Sequence, residues 1–179
     1  MSKYKILTSP SSFGQIKSDP VDILKLNGYE VVNNPYGRKL KDSEIIDLAS
    51  ECIGVVAGVE NYNKQVIDSL PKLKCISRVG VGMDSIDLDY AKKKKIEILN
   101  TPDGPTRSVA EFTLAITLSL IKKIPQAHYD LKNSVWKKQT GVLFKEKILG
   151  IIGLGRIGKT VAKLFKALGL KIIAYDLFP

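Results

Sequence analysis

The run Gly150-Ile-Ile-Gly-Leu-Gly-Arg-Ile-Gly-Lys159 carries glycines at 153, 155 and 158, a G-x-G-x-x-G spacing. Residues of this kind can hold a phosphate with backbone alone. Gly153 permits a tight turn, Gly155 lets the chain approach a pyrophosphate, and Gly158 lets a following helix pack closely on the preceding strand. The amides of Arg156 and Ile157 then fall at a helix N-terminus, where unpaired N–H groups and the helix dipole favour an anion. Asp176 ends the next apolar run. A carboxylate there accepts from a ribose 2′-hydroxyl and repels a 2′-phosphate, so the pattern predicts NAD rather than NADP. The competing reading is a glycine-rich turn in an α/β protein without a nucleotide, with Asp176 acidic by chance.

The glycines gain meaning from the elements around them. Residues 148–152 read as a buried strand, 156–168 as an amphipathic helix and 171–175 as a second strand. Further β-rich runs occur at 4–9, 29–32, 52–57, 74–78 and 96–99, several of them apolar throughout, as in parallel strands covered on both faces. Helical patterns lie between them at 42–49, where Asp42 offers a cap, and at 62–70 and 88–94. Alternation of this sort predicts parallel sheets with right-handed crossovers. It breaks once, at the turn-forming Asn100-Thr-Pro-Asp-Gly-Pro-Thr106, which precedes a long helical segment over 108–124. Ser108 and Glu111 have the spacing of a capping box, which gives Glu111 a structural role. The expected division is a first domain over 1–100 and a second over 101–179.

Composition sets broad bounds. Hydrophobic residues make up 44% and charged residues 26%, an ordinary globular balance that excludes a disordered or fibrous chain. The longest apolar-and-small stretch, 112–121, is too short to cross a bilayer, and the opening MSKYKILTSP lacks the apolar core of a secretory signal. Cys52 and Cys75 lie in apolar β-like runs without metal-ligand spacing and read as buried thiols, which makes a reducing cytoplasm the default location. A net charge of +10 invites a nucleic-acid reading, but the lysines are scattered. Their one run, 92–95, falls where a helix should end and complements its dipole. Neither a nucleic-acid nor a membrane partner is expected.

Three stretches, "SRVGVGMDSID" (77–87), "NTPDGPTRSVAEFTLAITLSL" (100–120) and "GIIGLGRIGKTVAKLFKALGLKIIAYD" (150–176), together resemble the D-isomer-specific 2-hydroxyacid dehydrogenases, nearest to their phosphoglycerate dehydrogenase branch. The resemblance implies a flavodoxin-like parallel-sheet lobe that carries the substrate, followed by the first β-α-β unit of a Rossmann dinucleotide-binding lobe, with a cleft between the lobes. It also implies that the loop at 79–82 helps hold the substrate carboxylate through backbone amides, with Val79 and Gly80 on the substrate and Val81 also touching the cofactor. Successive amides in a glycine-rich turn do form a concavity for an anion. The same glycines also suit a βα turn that needs them for steric reasons alone. Arg78 either adds charge to that loop or serves as a structural ion-pair residue, and Ser85 stands where Asn is common in relatives.

The family's reaction moves a hydride between C2 of a D-2-hydroxy acid and NAD. In relatives an Arg clamps the carboxylate and a His–Glu pair serves as acid and base, all from motifs beyond the strand that matches 171–175. The chain therefore reads as the front portion of an NAD-dependent oxidoreductase, expected to be inactive alone, and no catalytic residue is assigned. Its single histidine, His128, follows Pro125 outside any matching motif and reads as a surface residue at the helix end. The resemblance further implies a small 2-hydroxy or 2-keto acid substrate and a homodimer paired through the long helix. There Phe112, Leu114, Ile116, Leu118 and Ile121 place apolar side chains on more than one face. The alternative is a non-catalytic NAD-sensing or interaction protein on the same fold, as the family's corepressor relatives are.

Overall fold

A computed structural model describes residues 4–178, and the chain divides into two compact units with the boundary between Pro102 and Asp103. In the first unit β1 (Tyr4–Thr8), β2 (Tyr29–Asn33), β3 (Cys52–Ala57), β4 (Cys75–Arg78) and β5 (Glu97–Asn100) form one sheet in the order β2-β1-β3-β4-β5. Every pairing is parallel. This is the flavodoxin-like order, in which all the strand-to-helix loops emerge at one edge of the sheet. Leu7, Val55, Ala57 and Ile76 of the strands are buried, together with Ile45 and Ala49 of α2 (Asp42–Ala49) and Val66 and Ile67 of α3 (Lys64–Asp68).

Several helix boundaries differ from the sequence pattern, each for a local reason. Asp42 does not cap α2. The Lys41 amide donates to the Glu44 carboxylate at 2.8 Å, while Asp42 accepts from the Asn63 side chain at 3.0 Å. Asn63 in turn caps α3 by accepting from the Val66 amide, so that helix starts at Lys64 and not at Tyr62. Tyr62 instead forms a parallel bridge with Ile86, and its fully buried hydroxyl shares a 2.6 Å hydrogen bond with Ser9. Burial pushes the Tyr62 phenol well above its usual range. Helix α4 (Leu88–Lys93) ends in the lysine run as expected, with Lys95 in the left-handed region at φ 59°. Helix α1 (Asp19–Leu26), absent from the sequence pattern, carries Pro20 in its first turn and buries no residue.

The second unit holds α5 (Thr106–Ile121), α6 (Ile124–Lys132), β6 (Ile148–Ile152), α7 (Arg156–Ala167) and β7 (Lys171–Tyr175). The expected capping box at Ser108 does not form. The turn ahead of the helix brings Pro105 to the cap position, which leaves Ser108 inside the first turn and Glu111 paired with the Arg107 guanidinium. The long segment also breaks: Lys123 adopts φ 55° and Pro125 opens a separate helix, on which His128 is exposed. Strands β6 and β7 are parallel neighbours joined through α7. Val161 and Phe165 of α7 are buried with Ala110 of α5, Leu149 and Ile151 pack against them, and Phe144 meets Phe165 edge-on at 5.6 Å. The opposite strand face is open, contrary to the two-sided cover expected from its apolar run, with Ile152 92% exposed. Cys52 is buried, and desolvation pushes its thiol up to about 11; Cys75 is only half-buried. Among the described residues no helix is long and apolar enough to cross a membrane, and no cluster could hold a metal ion.

Two predictions follow from these contacts. A Cβ placed on Gly158 would fall 2.1 Å from the Gly153 carbonyl oxygen, whereas one on Gly155 meets nothing within 4 Å. Gly158→Ala should therefore lower stability by about 1–3 kcal/mol in urea unfolding, with Gly155→Ala close to the parent. Equal effects would refute this account of the turn. The second concerns acid. Arg38 donates to both Glu44 oxygens at 2.8 and 2.7 Å. That pairing first, and the Lys41 amide second, hold the Glu44 carboxyl at about 2 against an ordinary 4.5. A depressed carboxyl contributes stability that is complete above its unfolded value and is lost as pH falls through its folded one. Glu44→Gln should thus be less stable than the parent at neutral pH, with the gap closing between pH 4.5 and about 2. A gap independent of pH would count against the pairing.

Candidate functional site

In the second unit the glycine-rich turn is stitched to the strand beside it. Past the end of β6 the Gly153 amide donates to the Tyr175 carbonyl at 2.8 Å, and Gly153 itself sits at φ 93°, a conformation open to glycine. Asp176, just beyond β7, lies directly against the turn: one carboxylate oxygen accepts from the Leu154 amide and the other from the Phe178 amide at 2.9 Å. These bonds, that of Phe178 first, hold the Asp176 carboxyl below its usual range, and Lys159 adds a smaller pull. The group is a fixed anion whose oxygens each keep a further lone pair for a hydroxyl donor.

Gly155 occupies the cap position of α7 in extended conformation, with open space where a side chain would be. The Lys159 amide closes the first helical turn on the Gly155 carbonyl, leaving the amides of Gly155 and Ile157 without partners among the described residues. Arg156 pairs with Asp103 at 3.1 Å, an exposed contact that contributes little to stability. Basic residues in the first turn oppose the helix dipole, but they favour an anion seated at the same place. Gly153, Gly155, Arg156, Ile157, Gly158 and Asp176 are thus brought together, and the open cradle suits a pyrophosphate with a ribose beside it.

The first unit carries a second concavity, in the loop after β4. The Val79 amide donates to the Ala57 carbonyl at 2.8 Å, and the Gly80 amide donates to the Thr101 hydroxyl at 2.7 Å. Thr101 returns its own amide to the Gly80 carbonyl at 3.0 Å, and the Asn100 side chain donates to the Val81 carbonyl at 3.0 Å. Two of the four amides are therefore already committed. Those of Val81 and Gly82 have no partner among the described residues and are the donors left for an anion. Sequence reasoning singled out Val79 and Gly80 and passed over Thr101 and Asn100. Their signal was a pair of polar residues at the end of a parallel strand, where ligands of such sheets bind.

The Arg78 guanidinium folds back onto the Val79 carbonyl and covers Gly80, and its Nε is buried without a hydrogen-bond partner. The Ser85 carbonyl accepts from the Tyr62 amide at 2.7 Å. The His128 side chain has no ion-pair or hydrogen-bond partner among the described residues.

The sequence profile of the D-isomer specific 2-hydroxyacid dehydrogenases, catalytic domain, matches residues 10–174. A D-3-phosphoglycerate dehydrogenase from Methanocaldococcus jannaschii is 41% identical over 140 residues, which are 77% of this chain and 25% of that protein. The enzyme of the same name from Sus scrofa is 38% identical over 158 residues, 87% of this chain and 29% of its own. Among solved structures, an NAD+-bound 3-phosphoglycerate dehydrogenase from Entamoeba histolytica superimposes with a TM-score of 0.79 at 28% identity, covering 98% of this chain and 55% of that one. The chain thus spans less than a third of the length of these curated relatives. Its profile match and its identity to these enzymes place it in the D-isomer-specific 2-hydroxyacid dehydrogenase family.

Proposed function

We propose that the chain forms the substrate-carrying lobe and the opening of the cofactor lobe of an NAD-dependent oxidoreductase that acts on the CH–OH group of a D-2-hydroxy acid, with phosphoglycerate dehydrogenase the nearest type. The observation that carries this reading is the turn at 153–158 with its two unpartnered amides and the Asp176 carboxylate fixed against it. The amides of Gly155 and Ile157 hold the pyrophosphate, with Arg156 and Lys159 supplying charge, and Asp176 accepts from the ribose. When bound, NAD supplies the hydride acceptor. In the first unit the Val81 and Gly82 amides orient the carboxylate of the 2-hydroxy or 2-keto acid, while Val79 and Gly80 fix the loop's shape. We assign these residues binding and orientation, and no proton-transfer role.

A homodimer belongs to the same proposal. Val109, Phe112, Ile116 and Leu120 recur at helical spacing on one face of α5 and are all exposed, Leu120 to 73%, while Ala110 of that helix is buried. Trp136 adds an aromatic ring that is 90% exposed. A stripe of this kind fits an equivalent stripe on a second copy.

Calorimetric titration tests the cofactor reading. The chain should bind NAD more tightly than NADP, and Asp176→Asn should erase that preference while leaving pyrophosphate-dependent binding. An unaltered preference in the variant would remove Asp176 from the site. For association, light scattering should show a dimer mass that Leu120→Lys lowers toward the monomer, with Trp136 emission shifting to the red as copies separate. A monomer mass at every concentration would overturn the dimer.

A further inference from the structure

The crevice at the C-terminal ends of β1 and β2 lies apart from the loop after β4 and is used by neither proposed site. It encloses about 350 Å³, within the range of small-ligand pockets, under the segment that joins β1 to α1. Its floor is Thr8, 2% exposed, whose hydroxyl donates to the Asn33 side-chain oxygen at 3.0 Å. That bond fixes the Asn33 amide and leaves its NH₂ without a partner among the described residues. Asn34, beside it, is fully engaged: its NH₂ donates to the carbonyls of Ser9 and Arg38, and its oxygen accepts from the Tyr36 amide. Ser18 stands at the start of α1, yet its side chain makes no capping bond. Phe13 lends the crevice an apolar wall.

Two charges complete the lining. Asp22 and Lys25 both face the crevice from α1, three residues apart, a spacing at which opposite charges pair across one helical turn. They form no ion pair with each other or with any described residue. A phosphate or dicarboxylate would meet the Asp22 carboxylate, and a simple cation would meet Lys25. A ligand with both charges meets neither penalty. We propose that this crevice binds a small zwitterion, an α-amino acid in chemical class, with its ammonium toward Asp22 and its carboxylate toward Lys25 and the Asn33 NH₂. The proposal is independent of the dehydrogenase reading, since it uses no residue of the nucleotide turn or of the loop after β4.

Titration of the isotopically labelled chain with L-alanine, followed by amide chemical shifts, tests it. The expected result is saturable shifts at Ser18, Asp22, Lys25 and Asn33, with affinity about tenfold weaker in Asp22→Asn and in Lys25→Gln. Both substitutions fall on exposed side chains, and the same spectra report whether the fold is kept. Sodium acetate and methylammonium chloride, each carrying one of the two charges, should bind more weakly than L-alanine. The proposal fails if L-alanine gives no saturable shift up to about 50 mM, if both variants match the parent, or if acetate alone binds as well.

Discussion

The contact on which the glycine-rich turn depends is one between two backbone segments, Gly158 against the carbonyl of Gly153. Because no side chain separates them, α7 seats its first turn directly on the end of β6, with open space beside Gly155 at its cap. The stitch from Gly153 to Tyr175 then sets where β7 ends, and with it where Asp176 stands. Cradle and carboxylate are placed by one small set of backbone contacts.

The two proposed anion sites come by their free donors in different ways. At the turn the free donors are a consequence of helix termination, which leaves N–H groups unpaired in any helix. In the loop after β4 the free donors are what remains after Ala57 and Thr101 have taken the other two. The first is general to the motif and readable from its spacing. The second depends on a partner just past the end of β5, twenty-one residues away from the amide it captures.

That contrast explains what the sequence made legible. The β-α-β unit at 148–175 was readable because apolar runs, an amphipathic helix and glycine spacing all require the same local structure. The flavodoxin-like order agreed with the alternation of strands and helices together with the family resemblance. Helix α1 was not legible: it is eight residues long, carries Pro20 in its first turn and buries none of its side chains. Nor was the start of α5, where Ser108 and Glu111 had suitable spacing but the preceding turn placed the cap at Pro105. Tyr62 looked helical until its pairing with Ile86 and Ser9 was visible, a contact set by tertiary structure. The open face of β6 and β7 was hidden for a similar reason: an apolar strand reads alike whether one face or both are covered.

Thr101 carries a consequence of its own. By accepting the Gly80 amide and returning its own to the Gly80 carbonyl, it works as a stopper on the loop, setting how many of the loop's amides stay free. A residue without the hydroxyl at this position would release a third donor. The number of free donors in this loop is therefore written partly outside it, just past the end of β5, where the loss of one hydroxyl would change the loop's polarity without altering any residue of the loop itself.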